Sequence, residues 1–323
     1  MKLGIIGAAG RRGTLAAYAA GVKGCFTEIK LYDDKANAAR AIAMDMNQAM
    51  SLLSGGACGA AGTAAAGNAS AAKAATKITA VDSISDMSDC KVILSVYSVN
   101  YQEIKDRKKE LEMNFDLAKK ACSEIRANCS DAVVMVSVNP VDTFVYVYRE
   151  LLGFAPGKVL GVGASDTIRF KWALGEVTGK PAAAFEALCA GKTGHGIQLY
   201  GDIKLGGKPF SISEEQKKQV EDLCVGWFKD WAAQKAGLTA DGTLASAFAA
   251  MAEAVALDSK LKMACSTTLA AELGYEKCAM NFDVILGRDG AKQIIEPKTG
   301  EDEAGFLKLF AGKIAESIDE VLA

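Results

Sequence analysis

Gly7-Ala8-Ala9-Gly10-Arg11-Arg12-Gly13 places three glycines at regular spacing between an apolar run and an alanine-rich one. Such glycines permit a tight turn and let an anionic group approach the backbone. A helix N-terminus behind them offers unpaired N–H groups and a positive dipole end, which is the chemistry of holding a pyrophosphate. Asp33 follows the last glycine by about 20 residues, at the end of the next apolar run. A carboxylate there accepts hydrogen bonds from the adenosine ribose hydroxyls and repels a 2′-phosphate, so the spacing selects NAD over NADP; its neighbour Asp34 is the less favoured ligand. Asp166 and Arg169 stand at i and i+3 of a helical stretch and share a face. A planar guanidinium can grip a substrate carboxylate through two parallel hydrogen bonds, although such a pair taken alone is more often a surface ion pair. His195 is the only histidine and sits between Gly194 and Gly196, where the absence of bulky neighbours lets an imidazole approach a ligand.

The elements that must position these residues alternate between strand and helix. Residues 2–6 read as a strand, 7–13 as the glycine loop, 14–22 as a helix and 28–32 as a second strand. Residues 35–53 (helix), 77–81 (strand), 91–97 (buried strand), 106–128 (amphipathic helix) and 132–138 (buried strand) continue the pattern. Alternation of this kind predicts a parallel, doubly wound sheet. After Asn139-Pro140 the texture becomes α+β: helices at 141–152, 166–177, 213–236, 243–259 and 304–322, and strands at 158–162, 183–190, 197–205 and 279–286. The boundary falls near Asp142 without a flexible linker, which predicts two halves that share an interface. Residues 55–76 are a low-complexity Ala/Gly stretch and read as a tolerated loop insertion.

Composition narrows the partners. The chain has 323 residues, 50% of them hydrophobic, and 37 basic against 39 acidic side chains give a net charge of −2. That suits a globular protein of about two domains, excludes disorder as the main state, and disfavours nucleic acid and anionic membranes as partners. The opening residues lack the apolar core and cleavage site of a signal peptide, and the uncharged stretch 46–72 is too rich in small residues to span a bilayer; a cytoplasmic protein is expected. Nine cysteines without any C-x-x-C pair suit reduced core thiols, and a single histidine leaves no His-based zinc site, so no metal is expected.

Across nearly its whole length the chain resembles the lactate/malate dehydrogenase family. The likeness rests on the glycine loop, Leu31-Tyr32-Asp33, Val138-Asn139-Pro140-Val141-Asp142, Asp166-Thr167-Ile168-Arg169-Phe170, Gly194-His195-Gly196 and Gly287-Arg288-Asp289-Gly290. Ala8-Ala9 within the loop leans toward the malate-type branch. The resemblance implies a Rossmann-type α/β fold with an NAD-binding domain at 1–142 and an α+β substrate domain at 143–323, NAD as cofactor, a small 2-oxo or 2-hydroxy acid as substrate, and a homo-oligomer. It implies that His195 carries the proton, that Asp166 hydrogen-bonds and orients it, that Arg169 clamps the substrate carboxylate, and that Arg107 polarises the reacting carbonyl from a mobile loop anchored at Leu111-Glu112-Met113-Asn114. Asn139 would contact substrate and the nicotinamide side, with Thr243 and Ser246 as looser candidates for the pocket wall.

Three departures stand out. The family's acidic residue before the histidine is replaced by Gly194; strict spacing from Asp166 would put Thr193 in the histidine's place; and the substrate-choosing position holds Tyr101, where malate-type enzymes typically carry arginine and lactate-type enzymes glutamine. With no cation at Tyr101, a monocarboxylic 2-oxo acid is expected to react at least as well as oxaloacetate, unless Lys105 reaches inward. A cofactor-binding structural or regulatory protein without catalysis is the alternative reading. The related NAD-dependent glycosidases would need a metal-ligating Cys/His cluster that the chain does not display.

Overall fold

The computed structural model describes residues 1–54, 75–99, 106–269 and 273–323. Six parallel strands, β1 (Lys2–Ile6), β2 (Glu28–Tyr32), β3 (Lys77–Ala80), β4 (Val92–Ser95), β5 (Val133–Val136) and β6 (Val159–Gly161), lie in the order β6-β5-β4-β1-β2-β3. This is the doubly wound arrangement expected, and its crevice opens where the order reverses, between β1 and β4. Further along the chain come the short pieces β7 (Phe185–Glu186), β8 (Cys189–Ala190), β9 (Ile197–Gln198), β10 (Lys204–Leu205) and β11 (Lys208–Pro209), then β12 (Lys262–Thr268), β13 (Ala279–Gly287) and β14 (Gly290–Ile295). β12 pairs antiparallel with β6, and β13 and β14 follow it, so one nine-stranded sheet takes strands from both sides of the boundary expected near Asp142.

The central strands are apolar on both faces because both faces are covered. Val92, Leu94, Val133 and Met135 enter one core with Ala16, Ala17 and Ala20 of helix α1 (Arg11–Lys23), Met46 and Met50 of α2 (Ala36–Ser54), and Phe248, Met251 and Val255 of α7 (Asp241–Leu257). Ile93, Val134 and Val136 point the other way, toward Ala118, Cys122 and Ile125 of α3 (Arg107–Asn128) and Phe144, Val147 and Tyr148 of α4 (Val141–Leu152). That alternation is the period of two of a strand. A third cluster joins Phe170 and Leu174 of α5 (Ser165–Thr178) to Phe185, Ile203, and Val220 of α6 (Glu214–Ala233). Helix α8 (Glu301–Leu322) closes the chain, with Leu307, Ile314 and Ile318 in the first core.

Several boundaries differ from the sequence expectation. Helix α1 begins at Arg11, inside the glycine loop, because Gly10 already serves as its N-cap. The two long strands expected at 183–190 and 197–205 are two-residue pieces: the first starts only after a turn at 182–184 and is interrupted at 187–188, and the second is broken by a turn at 200–202. Strands β12 and β14 were not anticipated. Most of the 55–76 segment lies outside the described residues. Burial pushes the thiols of Cys90 and Cys129 up to about 12 and about 11, so both stay protonated and inert as nucleophiles. Among the described residues no helix is long and apolar enough to cross a membrane, and no group of three or more His, Cys, Asp or Glu is placed to hold a metal ion.

Candidate active site

The glycine loop, Asp33 and Asn139 lie just beyond the C-terminal ends of β1, β2 and β5, and Asp166 and Arg169 follow β6 on α5. At the end of β1, Gly7 takes φ +87° and donates its N–H to the Tyr32 carbonyl at 2.9 Å. Gly13 has no room for a side chain: a Cβ would sit 2.5 Å from the Gly7 carbonyl oxygen and 2.7 Å from the Ala8 Cα. Gly10 is different, since a Cβ there would meet nothing nearer than 3.6 Å; the protein itself does not demand glycine at that point, which suits close approach of a ligand. Helix α1 starts without a side-chain cap and without an acidic residue in its first turn, so its N–H groups and positive dipole end remain available to an anion. Gly13→Ala forces two backbone segments apart; it is expected to cost about 1–3 kcal/mol of stability and to lower NADH affinity, read by thermal melting and fluorescence titration.

Asp33 closes this cradle. Its carboxylate accepts the Ala9 N–H from within the glycine loop and the Lys35 N–H, each at 2.9 Å, which leaves further acceptor capacity toward the cleft. Asp34 is engaged elsewhere, by Lys120 at 2.8 Å, Tyr32 at 3.0 Å and the Tyr97 hydroxyl. Arg12 was not singled out by the sequence, yet it bridges the two halves: its Nε meets Asp241 at 3.1 Å at the start of α7, and its Nη1 donates to the Ser137 carbonyl at 2.8 Å. Small residues let α1 and α7 pack closely, which brings those partners within reach.

At the end of β5, Asn139 is exposed and joined to Pro140 by a cis peptide bond. Buried Asn114 of α3 accepts the Val99 N–H at 2.8 Å and donates to the Asn139 carbonyl at 3.5 Å, tying the start of the β4 loop to this turn. Tyr101 and Lys105 lie outside the described residues, and Arg107 is described only as the first residue of α3.

Past β6, Asp166 and Arg169 do share a face of α5, with Arg169 Nη1 3.1 Å from Asp166 Oδ1. The guanidinium also lies over the Trp227 ring, its carbon 4.6 Å from the centroid, so its plane is fixed from α6. Asp166 does not meet His195. Its second oxygen accepts the Gly194 N–H at 2.5 Å, and the His195 side chain is exposed with no hydrogen bond to any described residue. The direct Asp166–His195 link is therefore corrected: the carboxylate is taken up by Arg169 and by the backbone of the turn that carries the histidine.

A second buried carboxylate, missed in the sequence although it belongs to the quoted 138–142 motif, supports the same turn. Asp142 accepts the Thr193 N–H at 2.7 Å, the Thr193 hydroxyl at 2.8 Å and the Ser266 hydroxyl at 2.6 Å. Burial pushes its carboxyl up to about 6, against the pull of those hydrogen bonds, and the charge of Asp166 adds to the rise. A buried carboxylate is tolerable only when so fully satisfied. In the sequence the motif points to Asn139; the burial of Asp142 arises only when β12 and the 193–195 turn close around it.

A malate dehydrogenase of Aliarcobacter butzleri is 27% identical over 325 residues, covering 98% of this chain and 96% of that protein. Residues 60–161 match the family model described as lactate/malate dehydrogenase, NAD binding domain. The chain is thus similar to the lactate/malate dehydrogenase family. The malate dehydrogenase of Nitratiruptor is 26% identical over 98% of this chain and 95% of its own length. Among solved structures with the same fold, Cryptosporidium parvum malate dehydrogenase superposes with a TM-score of 0.84 at 23% identity, covering 99% of this chain and 98% of its own. Cryptosporidium parvum lactate dehydrogenase, solved with lactic acid and β-nicotinamide adenine dinucleotide, gives 0.83 at 23% identity, with 98% of both chains covered.

Proposed function

We propose that the chain is an NAD-dependent 2-hydroxy acid dehydrogenase of the malate/lactate type, transferring a hydride reversibly between NADH and a small 2-oxo acid. The observation that carries the reading is the convergence on one sheet edge of an uncapped helix N-terminus behind a glycine loop, Asp33 beside it, and the Asp166–Arg169 pair beside the histidine turn. The α1 N–H groups with Gly7, Gly10 and Gly13 hold the pyrophosphate, and Asp33 takes the ribose hydroxyls. When bound, the cofactor supplies or accepts the hydride. Arg169, steadied by Asp166 and Trp227, grips the substrate carboxylate, while Asn139 contacts substrate on the nicotinamide side. His195 gives its proton to the substrate oxygen in reduction and takes the hydroxyl proton in oxidation. Arg107 polarises the carbonyl. In this geometry Asp166 serves His195 by holding Arg169 and the Gly194 N–H. We take the protein to work as a homo-oligomer in the cytoplasm, checked by sedimentation and fractionation.

The test is a panel of 2-oxo acids, pyruvate, longer homologues and oxaloacetate, followed by NADH absorbance. Turnover with at least one member supports the reading, and none with any member overturns it. Tyr101 offers no cation for a second carboxylate, so the monocarboxylic acids are expected to react at least as well as oxaloacetate. Cofactor choice has its own check. Asp33→Ala should weaken NADH more than NADPH, because loss of the Ala9 contact loosens the loop for both while loss of the ribose acceptor falls on NADH alone. Tighter NADPH binding by the wild type would reverse the assignment.

A further inference from the structure

Three consecutive amides of the turn ahead of β9 have fixed acceptors on three different partners. The Thr193 N–H ends on Asp142 at 2.7 Å, the Gly194 N–H on Asp166 at 2.5 Å, and the His195 N–H on the Lys192 carbonyl at 3.0 Å. Upstream, Gly191 exchanges both backbone hydrogen bonds with Asn281 of β13, at 3.0 and 2.9 Å. The turn's backbone is thus pinned at every residue from 193 to 195, while the imidazole at its tip is exposed. Asp142 is the deepest of these pins. It stands in the first turn of α4, wholly buried, and gathers donors from the turn and from Ser266 of β12. Thr193 is the only residue of the turn to give this carboxylate both its N–H and its side chain. The space beside it is tight: a Cβ on Gly163 would lie 3.0 Å from the Thr193 hydroxyl and 2.8 Å from Asn281 Oδ1, a buried oxygen with no partner among the described residues.

We infer that Asp142, acting through the Thr193 hydroxyl and amide, is a positioning residue that sets the turn in the one conformation presenting His195 to the substrate. The inference rests on the reading of His195 as the proton carrier. It assigns a function to the threonine that strict spacing would put in the histidine's place: Thr193 holds the histidine turn.

The single histidine makes the test direct, because its imidazole proton signals need no assignment in the intact protein. Thr193→Val keeps the shape and removes the hydroxyl donor; Thr193→Ser keeps the donor. In Thr193→Val the His195 signals should shift or split, and kcat should fall by about 10²-fold, the scale of a misplaced reacting group, with the KM for NADH unchanged. Thr193→Ser should match the wild type in both readouts. Asp142→Asn, which turns an amide donor or a lone acceptor toward Thr193, provides a second route to the same displacement should the valine variant fold poorly. Wild-type signals and kcat in Thr193→Val would overturn the inference, as would equal damage from valine and serine. If the wild type turns over no 2-oxo acid, the dehydrogenase reading fails, and the imidazole signals still decide whether Asp142 sets the turn.

Discussion

Replacing His195 with asparagine is expected to lower kcat for 2-oxo acid reduction by about 10²-fold or more, with NADH affinity unchanged. Asparagine can hydrogen-bond the substrate oxygen but cannot give up and recover a proton near neutral pH. The cofactor cradle is built from the ends of β1 and β2, and the histidine turn packs beyond β6, so the substitution leaves the cradle intact. No other histidine exists to take over. Steady-state kinetics with a parallel fluorescence titration checks both halves of the expectation. Full turnover by His195→Asn would remove the imidazole from the mechanism.

Arg169→Ala should act on binding instead. Charge-assisted hydrogen bonds to a carboxylate are worth about 1.5–3 kcal/mol, which corresponds to a rise in KM for the 2-oxo acid of roughly 10- to 150-fold. The side chain is held on two sides, by Asp166 at 3.1 Å and by the Trp227 ring at 4.6 Å, so little ordering remains to be done when substrate arrives. Arg169→Lys keeps the charge without the planar fork or the stacking, and its KM should fall between those of alanine and the wild type. An unchanged KM in Arg169→Ala would mean that the carboxylate is bound elsewhere.

The parallel strands were legible because burial on both faces writes them as continuous apolar runs, as in Val92–Ser95 and Val133–Val136. Strand β12 was not, since Lys262–Thr268 contains mostly small and hydroxyl-bearing residues; Ser266, Thr267 and Thr268 are nonetheless buried, in a strand with partners on both sides. Asp289-Gly290 carried a hairpin signal that would have announced β14. In the site, spacing anticipated the meeting of Asp33 with the glycine loop and the shared helix face of Asp166 and Arg169, because each belongs to one local element or to consecutive ones. The expected Asp166–His195 contact, which the structure does not form, would have spanned a helix and a distant turn. Which donors reach each carboxylate oxygen is decided by the path of the backbone at Thr193 and Gly194, and no periodicity reports that path.

The nine-stranded sheet has a mechanical consequence. Its hydrogen-bonded ladder runs from β14 to β3, so the edge that carries the glycine loop, Asp33, Asn139 and the approach to Asp166 is one frame rather than two leaves of a book. Swinging one half against the other would tear strand pairs between β4, β5, β6 and β12. The spacing between the glycine loop at the end of β1 and the Asp166–Arg169 pair beyond β6 is consequently set when the chain folds. The loss of freedom that brings two reactants together is thereby met once, at folding, and each catalytic cycle need order only the side chains and turns that hang from a rigid rim.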